Sequence, residues 1–303
     1  MQNSTTARRG RPKSGLTIVE KAIANVEGFT DLSIRLKKNL VINGKSKSTY
    51  DNYIHYLAHI ANYYSSNPIT LSEDQVTDYL YLKKIVDGAS KSFFILTVHA
   101  LRAACKLYDL PYEQLKLPKL PHKKKLPVVL NSKEAMELIK AVGKFGNRMD
   151  SLIVALILDC GLRISEVGAI KREHLDLERS RHLVCDSKRR KDRSIPIGNS
   201  VKKGLIQHLD YWQPSDVVFL DPNNPSAPIP TTRISRLIKV SAKAAGIAKN
   251  VSPHTLRHSY ATLLIENHTP LPVVQKYLGH SDIKTTMIYL ELVLYLKAKK
   301  FLR

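Results

Sequence analysis

Ser252–Leu264 reads S-P-H-T-L-R-H-S-Y-A-T-L-L, and after a short break Val274–Tyr289 reads V-Q-K-Y-L-G-H-S-D-I-K-T-T-M-I-Y. Ser252 followed by Pro253 predicts a helix start: a side-chain cap, then a residue that tolerates the first helical position. His254 and Arg257 are three apart and share one face of the first turn. Leu256, Tyr260, Leu263 and Leu264 read as core. A helix N-terminus carrying a histidine and an arginine suits an anion, and a phosphate best. A second helix, from about Pro272 to Leu278, ends at Gly279, a good left-handed cap. His280 follows that cap, Ser281 can open the next helix, and Tyr289 lies nine residues after His280.

Taken singly, each of these residues is more often structural, since lone histidines and tyrosines mostly belong to a core or a solvated surface. Together they match one chemistry. A tyrosine attacking a phosphodiester needs arginine forks to neutralise the non-bridging oxygens, histidines to donate or move protons, and the phenol as nucleophile. The combination H-x-x-R-H, then L-G-H, then a tyrosine resembles the tyrosine recombinase/phage integrase family, whose catalytic domain carries Arg…Lys…His-x-x-Arg…His…Tyr. Upstream, Gly161-Leu162-Arg163-Ile164-Ser165-Glu166 is similar to the family's first catalytic motif. The resemblance implies that Arg163 and Arg257 contact the scissile phosphate and that Glu166 orients and balances the arginines. It implies that His254 assists proton transfer from the phenol and His280 binds a non-bridging oxygen. Read without it, an arginine and a glutamate three apart are an exposed ion pair of little worth.

Between two short predicted strands, His182–Cys185 and Ser194–Ile197, lies S-K-R-R-K-D-R. A basic hairpin tip is a phosphate contact or merely solvated. The resemblance places a catalytic lysine in such a hairpin, aligned with Lys188, as general acid. The usual glycine after it is Arg189 here, which leaves the choice open among Lys188, Lys191 and their neighbours. Arg189, Arg190 and Lys191 read as DNA contacts.

The chain has 303 residues, 43% of them apolar, enough for one large or two ordinary folded domains. The formal charge is +22, so the partner is a polyanion, with double-stranded DNA first and an acidic membrane surface as the alternative. No apolar run reaches the length of a membrane span and the N-terminus lacks a signal-peptide core, which predicts a cytoplasmic, nucleoid-associated protein. Cys105, Cys160 and Cys185 lack C-x-x-C spacing, so neither a zinc site nor a disulfide framework is expected. No carboxylate cluster suggests a two-metal nuclease, and no cofactor is expected.

Residues 1–30 are predicted to form a basic arm. Within it Arg9-Gly10-Arg11-Pro12 is similar to the core of an AT-hook, for which minor-groove insertion and plain electrostatic tethering are both open. Residues 31–115 carry helical periodicity, with Tyr50, Tyr53, Ile54, Leu57, Ile60, Ala61 and Tyr64 in one stripe that reads as core. Lys45 and Lys47, just before that stripe, are placed for phosphates. Residues 116–127, K-L-P-K-L-P-H-K-K-K-L-P, make a basic linker, and Lys123, Lys124 and Lys125 are candidate DNA contacts. Residues 128–290 form the second domain. Asn131 or Ser132 caps its first helix, Ile164, Val167 and Ile170 mark another, and 221–230, with four prolines, reads as a surface loop. Residues 291–303 form a tail.

The resemblance implies a mainly α fold: an N-terminal helical bundle of the SAM-like core-binding type, then an α+β catalytic domain of the DNA breaking-rejoining type with a small antiparallel sheet. It implies cleavage through a 3′-phosphotyrosyl intermediate without metal or ATP, a tetramer on two DNA sites, and a tail that docks on a neighbouring protomer. Tyr289 is followed by Leu290-Glu291 rather than the family's usual Thr-His. Two competing readings are a type IB topoisomerase and a non-catalytic DNA-binding regulator.

Overall fold

The computed structural model describes residues 15–111, 126–185 and 192–301. The chain divides into two units, Met1–Lys123 and Lys124–Arg303. In the first, helix starts follow the sequence closely. Thr17 and Glu20 form a capping box that opens α1 (Ile18–Asn25). After α2 (Phe29–Ile42), Ser46 caps α3 (Lys47–Tyr64). Ser72 and Gln75 form a second box at the start of α4 (Glu73–Ile85), and Ser90 caps α5 (Lys91–Leu107). Each such cap satisfies a backbone N–H that the helix itself cannot pair, worth about 1 kcal/mol. The α3 stripe is core: Leu57, Ile60 and Ala61 are fully buried against Phe29, Leu32, Leu36, Tyr79 and Leu101. Burying one such leucine or isoleucine contributes roughly 1.5–3 kcal/mol. Lys45 and Lys47 are exposed on either side of the Ser46 cap.

One boundary differs. Composition predicts an arm reaching residue 30, but α1 occupies 18–25 and α2 begins at Phe29, both in the bundle core. Ala22, Val26 and Phe29 are buried at helical spacing, and this apolar periodicity outweighs the basic character of the residues before it. Arg9 and Arg11 lie outside the described residues, as do 116–125 of the linker with Lys123, Lys124 and Lys125.

In the second unit, α6 (Ser132–Phe145) starts at an Asn131–Glu134 capping box and α7 (Arg148–Cys160) at an Asn147–Asp150 box. The α7 helix is apolar on most sides and forms the centre of the unit, with Leu156 and Ile157 fully buried beside Ile195, Leu205, Phe219, Ile238 and Leu256. After Gly161 comes α8 (Ile164–Val167), a single turn where the Ile164–Val167–Ile170 spacing predicts a longer helix; Gly168 ends it and Ile170 is buried beyond it. Next are β1 (Leu175–Asp176), β2 (Arg181–Val184) and β3 (Arg193–Pro196), an antiparallel sheet in that order with His182 opposite Ile195, both facing the core. Residues 186–191 of the β2–β3 connection, with Lys188, Arg189, Arg190 and Lys191, lie outside the described residues.

α9 (Asn199–Trp212) is followed by β4 (Leu220–Asp221) and β5 (Asn224–Pro228), a two-stranded ribbon where the four prolines predict only a loop. In so small a ribbon every strand is an edge, and an edge tolerates a residue without an N–H. The chain ends in α10 (Thr231–Ala244), α11 (Pro253–Glu266), α12 (Leu271–Leu278) and α13 (Lys284–Phe301). Along α11, Leu256 and Tyr260 are buried as expected, but Leu263 is 47% exposed. α13 runs through residue 290 without a break; Leu292 and Val293 pack inward while Leu294 and Tyr295 face solvent.

Candidate active site

Two helix ends and one capping turn bring the site together. Ser252 accepts from the Thr255 N–H and starts α11 with Pro253 at its first position, which fixes where Arg257 points. Gly279 closes α12 at φ 63°, and a Cβ there would meet the Arg193 guanidinium at 3.0 Å. Gly161 closes α7 at φ 62°, where a Cβ would fall 2.2 Å from the Tyr260 ring. Both positions need glycine for backbone conformation and for close approach. Gly161 delivers Arg163 and Gly279 delivers His280.

Glu166 is the hub. Its Oε1 accepts from Arg163 Nη1 at 2.7 Å; its Oε2 accepts from the Arg163 backbone N–H at 2.8 Å and from Arg193 Nη2 at 2.7 Å, and Arg257 Nη1 lies 3.9 Å away. Three guanidiniums thus surround one carboxylate. Burial alone would raise the Glu166 carboxyl pKa, but the bonds and charge of Arg193, with the bonds from Arg163, outweigh it and hold it below the usual range.

The same arginines cap helix C-termini. Arg193 Nε donates to the Tyr277 carbonyl at 2.9 Å, Arg163 Nη2 to the Gly279 carbonyl at 3.2 Å, and Arg257 to the Leu278 carbonyl and, at 2.7 Å, to that of Gly161. The last carbonyls of a helix lack partners within it and carry partial negative charge, so cations are favoured there. Arg193 and Arg257 are almost fully buried, whereas the Arg163 side chain is 32% exposed. Burial, then the charge of Arg163, lowers the Arg257 pKa to about 10, still well above neutrality.

Tyr289 sits beside this cluster, 1% exposed. Its hydroxyl is 2.9 Å from His258 Nδ1, and its ring stacks on His280 at 6.3 Å between centroids. Burial raises its pKa while Arg257 and Arg163 pull it down. His280 Nδ1 is 3.0 Å from Thr286 Oγ1. His254 is exposed and stacks on His258 at 6.3 Å. Arg163, Glu166, Arg257, His280 and Tyr289 therefore converge, and His254 stands at their rim. Lys188 lies outside the described residues. The sequence alone assigns no role to three contributors: Arg193, His258 and Thr286. His258 is the last residue of the H-x-x-R-H pattern and Arg193 the last of the basic S-K-R-R-K-D-R run.

Burial and nearby cations push His258 and His280 down to about 4, and burial, with His174 and Arg193, does the same to His182, whose buried Nδ1 has no partner among the described residues. In the unfolded chain these rings titrate near 6.5. Between those values the unfolded state binds more protons, so stability is full above about pH 6.5 and falls as pH drops towards 4. At pH 5 each ring costs on the order of 1 kcal/mol after solvent screening. Calorimetry should give a Tm lower by roughly 5–10 °C at pH 5 than at pH 7, and flat above. A Tm that peaks at pH 5 contradicts the neutral assignment.

The fold and this cluster define a DNA strand transferase of the tyrosine type, and comparison with known proteins agrees. Residues 128–293 match the phage integrase family, and the chain belongs to that family. It is 31% identical over 254 residues to tyrosine recombinase XerA of Pyrococcus horikoshii, covering 82% of this chain and 85% of that one. A crystal structure of XerA recombinase superposes with TM-score 0.52 at 27% identity, over 90% of this chain and 98% of that one. A lambda integrase dimer bound to a COC' core site superposes with TM-score 0.67 at 18% identity, over 86% and 76%; that likeness is one of fold. The enzyme is a tyrosine-type site-specific recombinase. Among the described residues no helix is long and apolar enough to cross a membrane.

Proposed function

We propose that Tyr289 attacks a DNA phosphodiester in line, forms a 3′-phosphotyrosyl bond and expels a 5′-hydroxyl, which a partner strand's 5′-hydroxyl later reverses. The observation that carries this reading is the buried phenol beside three guanidiniums that share one carboxylate. Three positive charges against one negative leave a net excess suited to a phosphodiester, and to the greater charge of its transition state. Arg163 and Arg257 bind the non-bridging oxygens. Each makes two hydrogen bonds within the fold, which fixes the fork and leaves further N–H groups of its five for the phosphate.

His280, whose Nδ1 lies 3.0 Å from Thr286 Oγ1, is assigned its proton on Nε2, with Thr286 donating to Nδ1, and offers a neutral donor to the same oxygens. His254, at the rim, supports proton movement from the phenol. Lys188 is assigned the proton for the leaving oxygen, by resemblance to the family's hairpin lysine. The guanidiniums supply the charge stabilisation a metal would, and the phosphotyrosyl bond retains the energy of the phosphodiester it replaces, so the reaction needs neither metal nor ATP. DNA contacts are assigned to Arg9, Arg11, Lys45, Lys47, Lys123, Lys124, Lys125, Arg189, Arg190 and Lys191, in keeping with the +22 charge. The assembly is a tetramer on two DNA sites, with the outer face of α13 offered to a neighbouring protomer, and the working location is the nucleoid.

The test is direct. Incubated with genomic DNA fragments in EDTA and quenched with detergent, the wild-type protein should remain linked to DNA through a protease-sensitive, alkali-resistant 3′ bond. Sequencing the trapped ends locates the sites. Reversible binding without any covalent product, or cleavage that EDTA abolishes, overturns the reading.

A further inference from the structure

We propose that His258 is the group that takes the proton from Tyr289, an assignment that rests on Tyr289 being the nucleophile. The phenol is buried, and among the described residues its hydroxyl has one hydrogen-bond partner, His258 Nδ1 at 2.9 Å. A buried O–H aims at an acceptor, so its proton points at that nitrogen. This places the ring's single N–H proton on Nε2 and an open lone pair on Nδ1. His254, the residue the family pattern suggests for proton transfer, is one helical turn away at the exposed rim, with its ring stacked on His258.

The surroundings keep the base unprotonated until it is needed. Facing His258 are His254 and Arg257 from α11, His280 from the α12–α13 loop and Tyr289 from α13. Burial, then His254 and Arg257, disfavour the imidazolium, so the ring is neutral at pH 7. A bound phosphate brings negative charge to Arg257 and offsets its repulsion. The proton affinity of His258 then rises when substrate arrives, as efficient base catalysis requires.

The step balances. The Tyr289 O–H bond breaks as the phenolic oxygen bonds phosphorus, and the proton moves to His258 Nδ1. The bond from phosphorus to the 5′ oxygen breaks, and that oxygen takes a proton from the general acid. In the rejoining step the attacking 5′-hydroxyl returns its proton to that acid. The phenolic oxygen leaves phosphorus and recovers its proton from the His258 imidazolium. No oxidant, metal or co-reactant enters.

The experiment compares wild type with His258→Asn, whose amide oxygen can accept the phenol's hydrogen bond but cannot hold a proton. Single-turnover adduct formation is followed from about pH 6 to pH 9 on a nicked suicide duplex carrying a site mapped from trapped ends. The wild-type rate should level off near neutrality. The H258N rate should be down about 10²–10³-fold at pH 7 and climb about tenfold per pH unit as the phenol ionises on its own. A fluorotyrosine at position 289, which ionises at lower pH, should restore much of the H258N rate and change the wild type little. A wild-type rate for H258N at pH 7 overturns the proposal, and so does a deficit that is equal at every pH and untouched by the fluorotyrosine. Such a deficit would mean that His258 only packs. Wild-type protein that forms adducts through another residue overturns the nucleophile assignment as well, and peptide mapping of the adduct tells the two failures apart.

Discussion

Tyr289→Phe should bind DNA as wild type does and form no covalent adduct, with the cleavage rate down at least about 10⁴-fold. The structure makes this a clean substitution. The ring is buried and stacked on His280, and phenylalanine keeps that area and shape. What disappears is one hydroxyl and one hydrogen bond to a histidine that is only partly buried. A lost bond of this kind costs about 1 kcal/mol, a shift of roughly 2–4 °C in Tm for a unit of this size. The arginine cluster is untouched, so affinity for the duplex should stay within about twofold. On a nicked suicide substrate, denaturing gels should show adduct for wild type and none for Y289F. Persistent adduct would mean that another nucleophile does the chemistry. Lost binding or a collapsed Tm would mean that the hydroxyl is chiefly structural. A repressor would behave differently again: substitution at 289 would leave its only activity, binding, intact, and wild type would give no adduct to lose.

Local rules carried much of this fold, because caps and glycines act within a few residues. Ser252–Pro253, Ser72–Gln75, Gly161 and Gly279 each do in space what their neighbours in sequence imply. Arg163, Glu166, Arg257, His280 and Tyr289 were legible as a set for another reason, since their chemistry is coherent only when they are pooled around one phosphate. Arg193 was not legible. It closes a run of basic residues, and such runs are normally solvated; it is buried because carbonyls at Tyr277 and a carboxylate at Glu166 receive it. Partners that far apart in the chain leave no periodic trace. The same holds for His258, whose role is fixed by a helix that begins at Lys284. Leu263 shows the limit of helical spacing: it lies beside Leu264 on α11, and only the packing of α12 and α13 decides which of the two turns inward.

Glu166→Gln should destabilise the second unit by about 3–5 kcal/mol and slow cleavage by about 10²–10³-fold while leaving DNA affinity unchanged or stronger. The reason is charge. In wild type one carboxylate accepts three hydrogen bonds and faces Arg163, Arg193 and Arg257, two of them almost fully buried. Glutamine keeps the shape but leaves three guanidiniums repelling one another in a pocket with little water. Removing one partner of a buried pair costs far more than the pair itself contributes, because the remaining charge stays desolvated. Two consequences separate this account from simple misfolding. Arg193→Gln in the E166Q background should recover part of the lost stability, since it removes a charge that no longer has a counterion. The two changes should therefore couple by about 1–3 kcal/mol in a double-mutant cycle. Added DNA should raise the Tm of E166Q by more than it raises that of wild type, because a phosphate now supplies the missing negative charge. Cleavage stays slow even in that complex: a phosphate can balance the charge of Arg163, but it cannot replace the two hydrogen bonds that Arg163 donates to the Glu166 carboxylate, which aim the fork and close its turn. Independent, additive effects of E166Q and R193Q would show that the carboxylate does not organise the arginines, and the preformed anion site would have to be held by the helix-end carbonyls alone.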